Sequence, residues 1–346
     1  MAPINLNLNE KKVMYGLVRY PDTSDLELSG LIGVKRPTIT KIRNKVFKLG
    51  LVETCYVPNF QALGMEMLVF WQGRFSSSAL PGDWENGNNG RPYNVISVRS
   101  MMEGMGMATF KNFTRYREHS DSDISNLMKS GVLKSYNDFT AYFYPFETSQ
   151  IDAYFDYAPI LKILLGLDID DSPDEVKYPP RSTPQLSDKE KSILVSMVEN
   201  PGLSDSKMSS LLGISRPTMS EKRNTFIQQG LIKKRNLPHI NFIGTEIIAL
   251  YNFKFNPTIS DNQKKQTIKE MLDEYRPFIQ ISGKLDCTGM FLVKLFDDFK
   301  RLNDEHLFRM ADEGLLLEKI QLVVIPVNNV MAKVLNLAST LRYSLD

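Results

Sequence analysis

The sequence predicts an α+β fold built as two tandem copies of one plan. Three observations carry this. The phrase GVKRPTITKIRN (33–44) returns as GISRPTMSEKRN (213–224), and a constant offset of 180 residues aligns 6–75 with 186–255 without a gap. Within each copy the apolar period begins helical and falls towards 2 after Gly64 or Gly244. Between the copies, DSPDEVKYPPRSTPQ (171–185) carries four prolines and reads as an extended linker.

Each element follows from local chemistry. In the first copy 9–20 reads as a helix with Val13 and Leu17 at core spacing, and 24–31 as a second helix that Gly33 ends. Pro37 suits the first turn of a third helix, which Gly50 stops. LVETCYVPNF (51–60) then reads as a strand or wing. Two short helices, a glycine turn, a third helix and a wing make a winged helix-turn-helix domain. Strands follow at 65–75, 93–102, 106–116 and 132–146, with a helix at about 122–129 before the last. The second copy reads as strand 246–255, helix 261–275, strands 278–284 and 290–296, helix 299–312 and strand 316–326. That order is the ferredoxin-like βαββαβ domain. In the first copy, SSSALPGDWENGNNG (76–90) is too rich in Gly and Asn for a normal first helix. Each half is expected to end in an apolar helix, at 151–165 and 330–341. The expected domains are winged helix-turn-helix 1 (1–60), ferredoxin-like domain 1 with a degenerate first helix (61–170), the linker (171–185), winged helix-turn-helix 2 (186–240) and ferredoxin-like domain 2 with its C-terminal helix (241–346).

Composition narrows the function. Charged residues are 24% and the hydrophobic set 42%, with no apolar run long enough to cross a bilayer and no leader-like N-terminus, so a cytoplasmic protein without membrane association is expected. The two cysteines stand apart, outside any metal-type spacing. His119, His239 and His306 are scattered, and surface or turn positions without metal are expected for them. Met101, Met102, Met105 and Met107 fall in an expected hairpin and read as plait core.

The third helix carries the clearest signal. From Lys35 to Lys48 there are six basic residues and no acid. At about 100° per residue, Ile39, Ile42, Val46 and Leu49 form one stripe, and Lys41, Asn44, Lys45 and Lys48 the opposite face. Thr38 and Thr40 flank that face, with Lys35 and Arg36 at the helix entrance. Such a face suits phosphate neutralisation and base contact on double-stranded DNA. In the second copy Lys41, Lys45 and Lys48 become Glu221, Thr225 and Gln228, while KKR (233–235) appears in the wing. Both modules stay net positive: 1–56 and 186–235 each hold nine Lys/Arg and five Asp/Glu. The first module is therefore expected to grip DNA by its helix. The second is expected to use Ser215, Arg216, Thr218, Ser220 and Asn224, with its wing residues Lys233, Lys234 and Arg235 as the main grip. Arg43 and Arg223 lean towards the buried stripe and read as structural.

The order of these motifs, with GLV (50–52) or GLI (230–232), then PNFQALG (58–64) or PHINFIG (238–244), resembles the Lrp/AsnC feast-or-famine transcription regulators, duplicated in tandem. SGKLD (282–286) is similar to that family's Gly-x-x-Asp hairpin, which implicates Gly283 and Asp286 in binding a small-molecule effector. The first copy has VRSMM (98–102) there and lacks the pair. The resemblance implies a sequence-specific DNA-binding transcription regulator that pairs as a homo-oligomer, a dimer, through its plaits, with no cofactor and no enzyme activity. Two other readings stand beside it: a protein-interaction scaffold whose winged helices do not bind DNA, and a tetrapyrrole-modifying enzyme. Siroheme decarboxylases share the Lrp-like fold and use His and Arg; three scattered histidines give that reading little support.

Overall fold

A computed structural model describes residues 5–76, 91–169 and 184–346. The first half runs α1 (Leu8–Arg19), α2 (Asp25–Ile32), α3 (Arg36–Lys48), β1 (Val52–Pro58), β2 (Met67–Arg74), β3 (Asn94–Arg99), β4 (Glu103–Phe110), α4 (Phe113–Lys129), β5 (Phe139–Pro145), β6 (Gln150–Tyr154) and α5 (Ala158–Leu165). The second runs α6 (Asp188–Glu199), α7 (Asp205–Leu212), α8 (Arg216–Gln228), β7 (Ile232–Pro238), β8 (Ile247–Lys254), α9 (Asp261–Tyr275), β9 (Ile279–Ser282), β10 (Asp286–Val293), α10 (Phe296–Asp312), β11 (Gln321–Pro326), β12 (Ala332–Leu335) and α11 (Leu337–Leu345). From α1 to β2, each of these helices and strands recurs 180 residues on with the same ends. The stretches 76–90 and 171–185 fall almost wholly outside the described residues.

The repeat has a local cause. Asn7, Ser24, Ser187 and Ser204 each accept a backbone N–H in the first turn of the following helix, at α1, α2, α6 and α7. Gly33 and Gly213 close α2 and α7 in the left-handed region, at φ 66° and 63°, where a side chain would be strained.

The two halves are joined by exchanged strands. One five-stranded sheet has the order β12-β3-β4-β2-β5 and the other β11-β8-β10-β9-β6. β6 therefore lies on the second half's sheet, with Ile151 opposite Ile281, and β12 on the first half's, with Val334 opposite Ser97. The wings also pair, β1 with β7, from Val52–Pro238 to Pro58–Ile232. The main core draws on both halves: Leu68, Phe70 and Tyr144 from one, Ile248, Leu250 and Met290 from the other. The two ferredoxin-like units thus pack against each other within one chain.

The structure corrects several sequence expectations. The stretches 151–165 and 330–341 are not single helices; each begins as a strand because a sheet edge in the other half is open to pair with it. α4 starts at Phe113, before the expected 122, because Asn112 caps it. The expected strand 132–146 is limited to β5, after a short 3₁₀ turn at Tyr136–Asp138. Met105 and Met107 are core, but Met101 and Met102 are each 52% exposed at the hairpin tip.

Candidate functional site

The basic face of α3 is built from its apolar stripe outward. Ile39, Ile42 and Val46 are buried. Lys35, Arg36, Thr40, Lys41, Asn44, Lys45 and Lys48 are exposed, and Thr38 is half-buried. Two members are already engaged. Lys45 Nζ meets Glu10 Oε1 at 2.5 Å, and this bond with the Asn7 N–H holds the Glu10 carboxyl below its usual range. Thr40 Oγ1 donates to Asp25 Oδ2 at 2.5 Å. Arg43 Nε reaches the other oxygen of Asp25 at 2.7 Å, so Arg43 ties α3 to the first turn of α2.

The second module departs further. Arg216 and Asn224 are exposed, and Ser220 is half-buried. Ser215 accepts the Thr218 N–H as the cap of α8, and their hydroxyls lie 2.8 Å apart, so both carry a structural task. Arg223 pairs with Asp205 at 2.7 Å and also donates to the Tyr56 hydroxyl on β1, linking the two modules. The KKR stretch is not a free wing. It lies in β7, paired with β1. Lys233 is exposed, Lys234 is half-buried with Asp22 at 3.7 Å, and Arg235 is 5% exposed with its guanidinium donating to the Tyr154 carbonyl. Arg235 is thereby removed from any outward grip, because strand pairing turns it inward.

Gly283 and Asp286 sit where the two plaits meet. Gly283 N donates to the Asp286 carbonyl at 2.9 Å, closing the β9–β10 hairpin. A side chain at Gly283 would run into the Asp286 carboxylate and approach the Tyr144 ring of the first half. Burial raises the Asp286 carboxyl, against Lys254 and Lys264. Beside them lies a polar cluster built by both halves. Tyr144 Oη and Thr288 Oγ1 are 2.7 Å apart, and Asn252 Nδ2 donates to Thr288 Oγ1 at 2.8 Å. Asp152 on β6 accepts from Gln280 Nε2 and Ser282 Oγ, both at 3.2 Å. Burial pushes the Asp152 carboxyl up to about 6, although those two hydrogen bonds oppose the rise. A carboxyl of this kind can hold a proton in mild acid and release it near neutrality. The sequence signal for this seam was present as Asn252, Gln280, Ser282 and Thr288 interrupting apolar strands; Asp152 was hidden in an expected helix.

The histidines do not converge. His119 packs against the Tyr93 ring at 4.7 Å, and His239 is exposed. His306 is 6% exposed beneath α9, not at the surface, because α10 folds it against Tyr275; burial lowers its basicity. Among the described residues no group of three or more His, Cys, Asp or Glu is placed to hold a metal ion. Among them too, no helix is long and apolar enough to cross a membrane.

No family model and no curated protein matches the chain. Among solved structures it is similar to the siroheme decarboxylase NirDL, at 13% identity over 97% of each chain, with a TM-score of 0.52. It is similar to the same enzyme in co-complex with an iron-uroporphyrin III analogue, at 12% identity, 97% of each chain and a TM-score of 0.50. An AsnC family transcriptional regulator from Agrobacterium tumefaciens matches 40% of this chain and 90% of its own, at 13% identity and a TM-score of 0.34. The architecture, winged helix-turn-helix plus ferredoxin-like units, is thus shared along the whole chain with an enzyme. That finding overturns the expectation of no enzyme activity, which the resemblance to transcription regulators implied.

Proposed function

We propose that this chain acts on the carboxylate side chains of a tetrapyrrole. The observation that carries the reading is the whole-chain likeness to a siroheme decarboxylase, which includes both halves and their joining in one polypeptide. The seam between the plaits adds chemical support. Loss of CO2 from a side chain leaves the bonding electron pair on carbon, which must then take a proton. Asp152 and Tyr144 are proton-bearing groups at the seam, and Asp152 titrates in the range such a donor needs. In this reading the domain division stays 1–60, 61–170, 186–240 and 241–346, with the winged modules as a platform for the plaits. Titrating the purified chain with siroheme and with iron-uroporphyrin III tests it. A saturable shift of the ligand's visible absorption is expected; spectra identical to free ligand would sink the reading.

A second reading, transcription regulation through double-stranded DNA, is favoured by the exposed basic face of α3. Here Lys41 and Lys48 anchor phosphates and Arg36, Thr38 and Asn44 face the bases, while the seam takes the effector. Replacing Lys41 and Lys48 by Gln should lower the slope of log affinity against log salt by about 2. Lys45→Gln should change it less, because Lys45 is paired with Glu10. An unchanged slope in the double variant would exclude this face.

A further inference from the structure

Tyr251, Gly289 and Gln280 stand side by side on β8, β10 and β9. The Tyr251 hydroxyl passes over Gly289 and donates to Gln280 Oε1. Gln280 Nε2 in turn donates to Asp152 Oδ2 at 3.2 Å. We infer that Tyr251 is a positioning residue: it fixes which way the Gln280 amide faces, and so presents Asp152 with an N–H and not a carbonyl. The inference rests on the reading in which Asp152 delivers the proton that takes the place of CO2.

The backbone is built for this crossing. At Gly289 a Cβ would lie 2.5 Å from the Tyr251 hydroxyl oxygen and 2.6 Å from the ring carbon that bears it, so glycine keeps the path open. Tyr251 is buried against the rings of Phe253, Tyr275 and Phe291, and Gln280 is fully buried. A side-chain amide has an oxygen at one end and two N–H at the other, and its neighbours decide which end faces which. The carboxyl side is also held. β6 pairs Ile151 with Ile281 and Ala153 with Gln280, so Asp152 is the extra residue of a β-bulge, a device that re-aims a side chain. Ser282 Oγ donates to its other oxygen at 3.2 Å. The charged neighbour from α9 is Lys264, whose Nζ donates to the Lys284 carbonyl at 2.9 Å. Cys287 on β10 and Tyr251 on β8 are the titratable neighbours within the sheet, and burial raises both, so they stay neutral.

The chain of bonds has a direction. Tyr251 can give its hydrogen to Gln280 only while Oε1 faces it. In that orientation Nε2 meets the carboxylate, and a hydrogen bond to the charged form eases release of the proton. Were the amide to turn and accept from a protonated Asp152, the Tyr251 hydrogen would lose this acceptor amid aromatic rings, which is costly. The hydroxyl therefore favours ionised Asp152, against the burial that opposes it.

The test titrates Asp152 in the full chain by carboxyl-carbon NMR of aspartate-labelled protein, with Asp152→Asn identifying its resonance and no tetrapyrrole present. Tyr251→Phe keeps the ring and should raise the midpoint by about half to one pH unit. Gln280→Met leaves Tyr251 in place and should raise it too, which keeps the proposal refutable should Tyr251→Phe not fold. In the Gln280→Met background Tyr251→Phe should add nothing, because it acts through that amide; a role confined to packing would not follow this rule. An unchanged midpoint in either single variant overturns the proposal, as does a Tyr251→Phe shift that persists without Gln280. The outcome is separate from that of the tetrapyrrole reading. A chain that removes CO2 while its midpoint stays fixed refutes the relay alone, and one whose midpoint moves but that leaves tetrapyrroles untouched refutes the proposed function alone.

Discussion

Asp152→Asn tests whether the seam stores an unfavourable charge. Burial raises the Asp152 carboxyl from 3.8 to about 6. Each pH unit of such a rise is worth about 1.4 kcal/mol, so ionised Asp152 costs the folded state up to about 3 kcal/mol near neutrality. The sign is fixed by proton binding. Between 3.8 and about 6 the folded chain holds more protons here than the unfolded one, so stability falls as pH rises through that window and levels off above it. Asparagine removes the charge but can accept only through one oxygen, so one of the bonds from Gln280 and Ser282 is lost, at about 1 kcal/mol. The net expectation is a variant about 1–2 kcal/mol more stable than wild type at about pH 8, with the gain vanishing by about pH 4. Urea unfolding of both proteins across that range measures it. Parallel stability curves for wild type and Asp152→Asn would refute the reasoning, because the carboxyl would then have the same acidity folded and unfolded.

Other perturbations probe other joints. In a double-mutant cycle, Arg43 and Asp25, paired at 2.7 Å and only 26% and 19% exposed, should show a coupling of about 1–2 kcal/mol by thermal or urea unfolding; additive single mutants would deny the pair a role. Asp25→Ala should cost more than Arg43→Ala, since Asp25 also accepts from Thr40. The Ser187 N–H and hydroxyl, with Lys222, hold the Glu190 carboxyl down to about 2. That stabilisation is present above its ordinary 4.5 and is lost as pH falls towards about 2, so Glu190→Gln should flatten the acid limb of the stability curve. A chain of 184–346 alone lacks β6 and leaves β12 without β3, so it should aggregate, and co-expression with 1–169 should rescue it; a stable monomeric half would contradict strand exchange.

The modules were legible because their signals are local. Capping residues, Gly33, Pro37 and the Ile39–Ile42–Val46 stripe act within a few residues, and their counterparts repeat 180 positions on. What was not legible is the pairing between distant segments. Ile151 opposes Ile281, and nothing within 150–154 distinguishes a strand awaiting that partner from the start of α5. The same blindness affected the wings. KKR reads as an outward basic tip until β1 is placed beside β7; only then does Arg235 turn inward. At the seam, Gly283 and Asp286 were singled out only by the resemblance of their hairpin to that of a known family, while Asp152 and Tyr144 needed the other half to be laid across them.

The proposed action on tetrapyrrole carboxylates can be tested directly. The most direct measurement is the mass of the tetrapyrrole recovered after incubation with the purified chain, run beside Asp152→Asn and a protein-free control. The account predicts a product lighter by the mass of CO2 with wild type and much less of it with Asp152→Asn. A tetrapyrrole recovered with every carboxyl group intact, from a chain that binds it, would contradict the account.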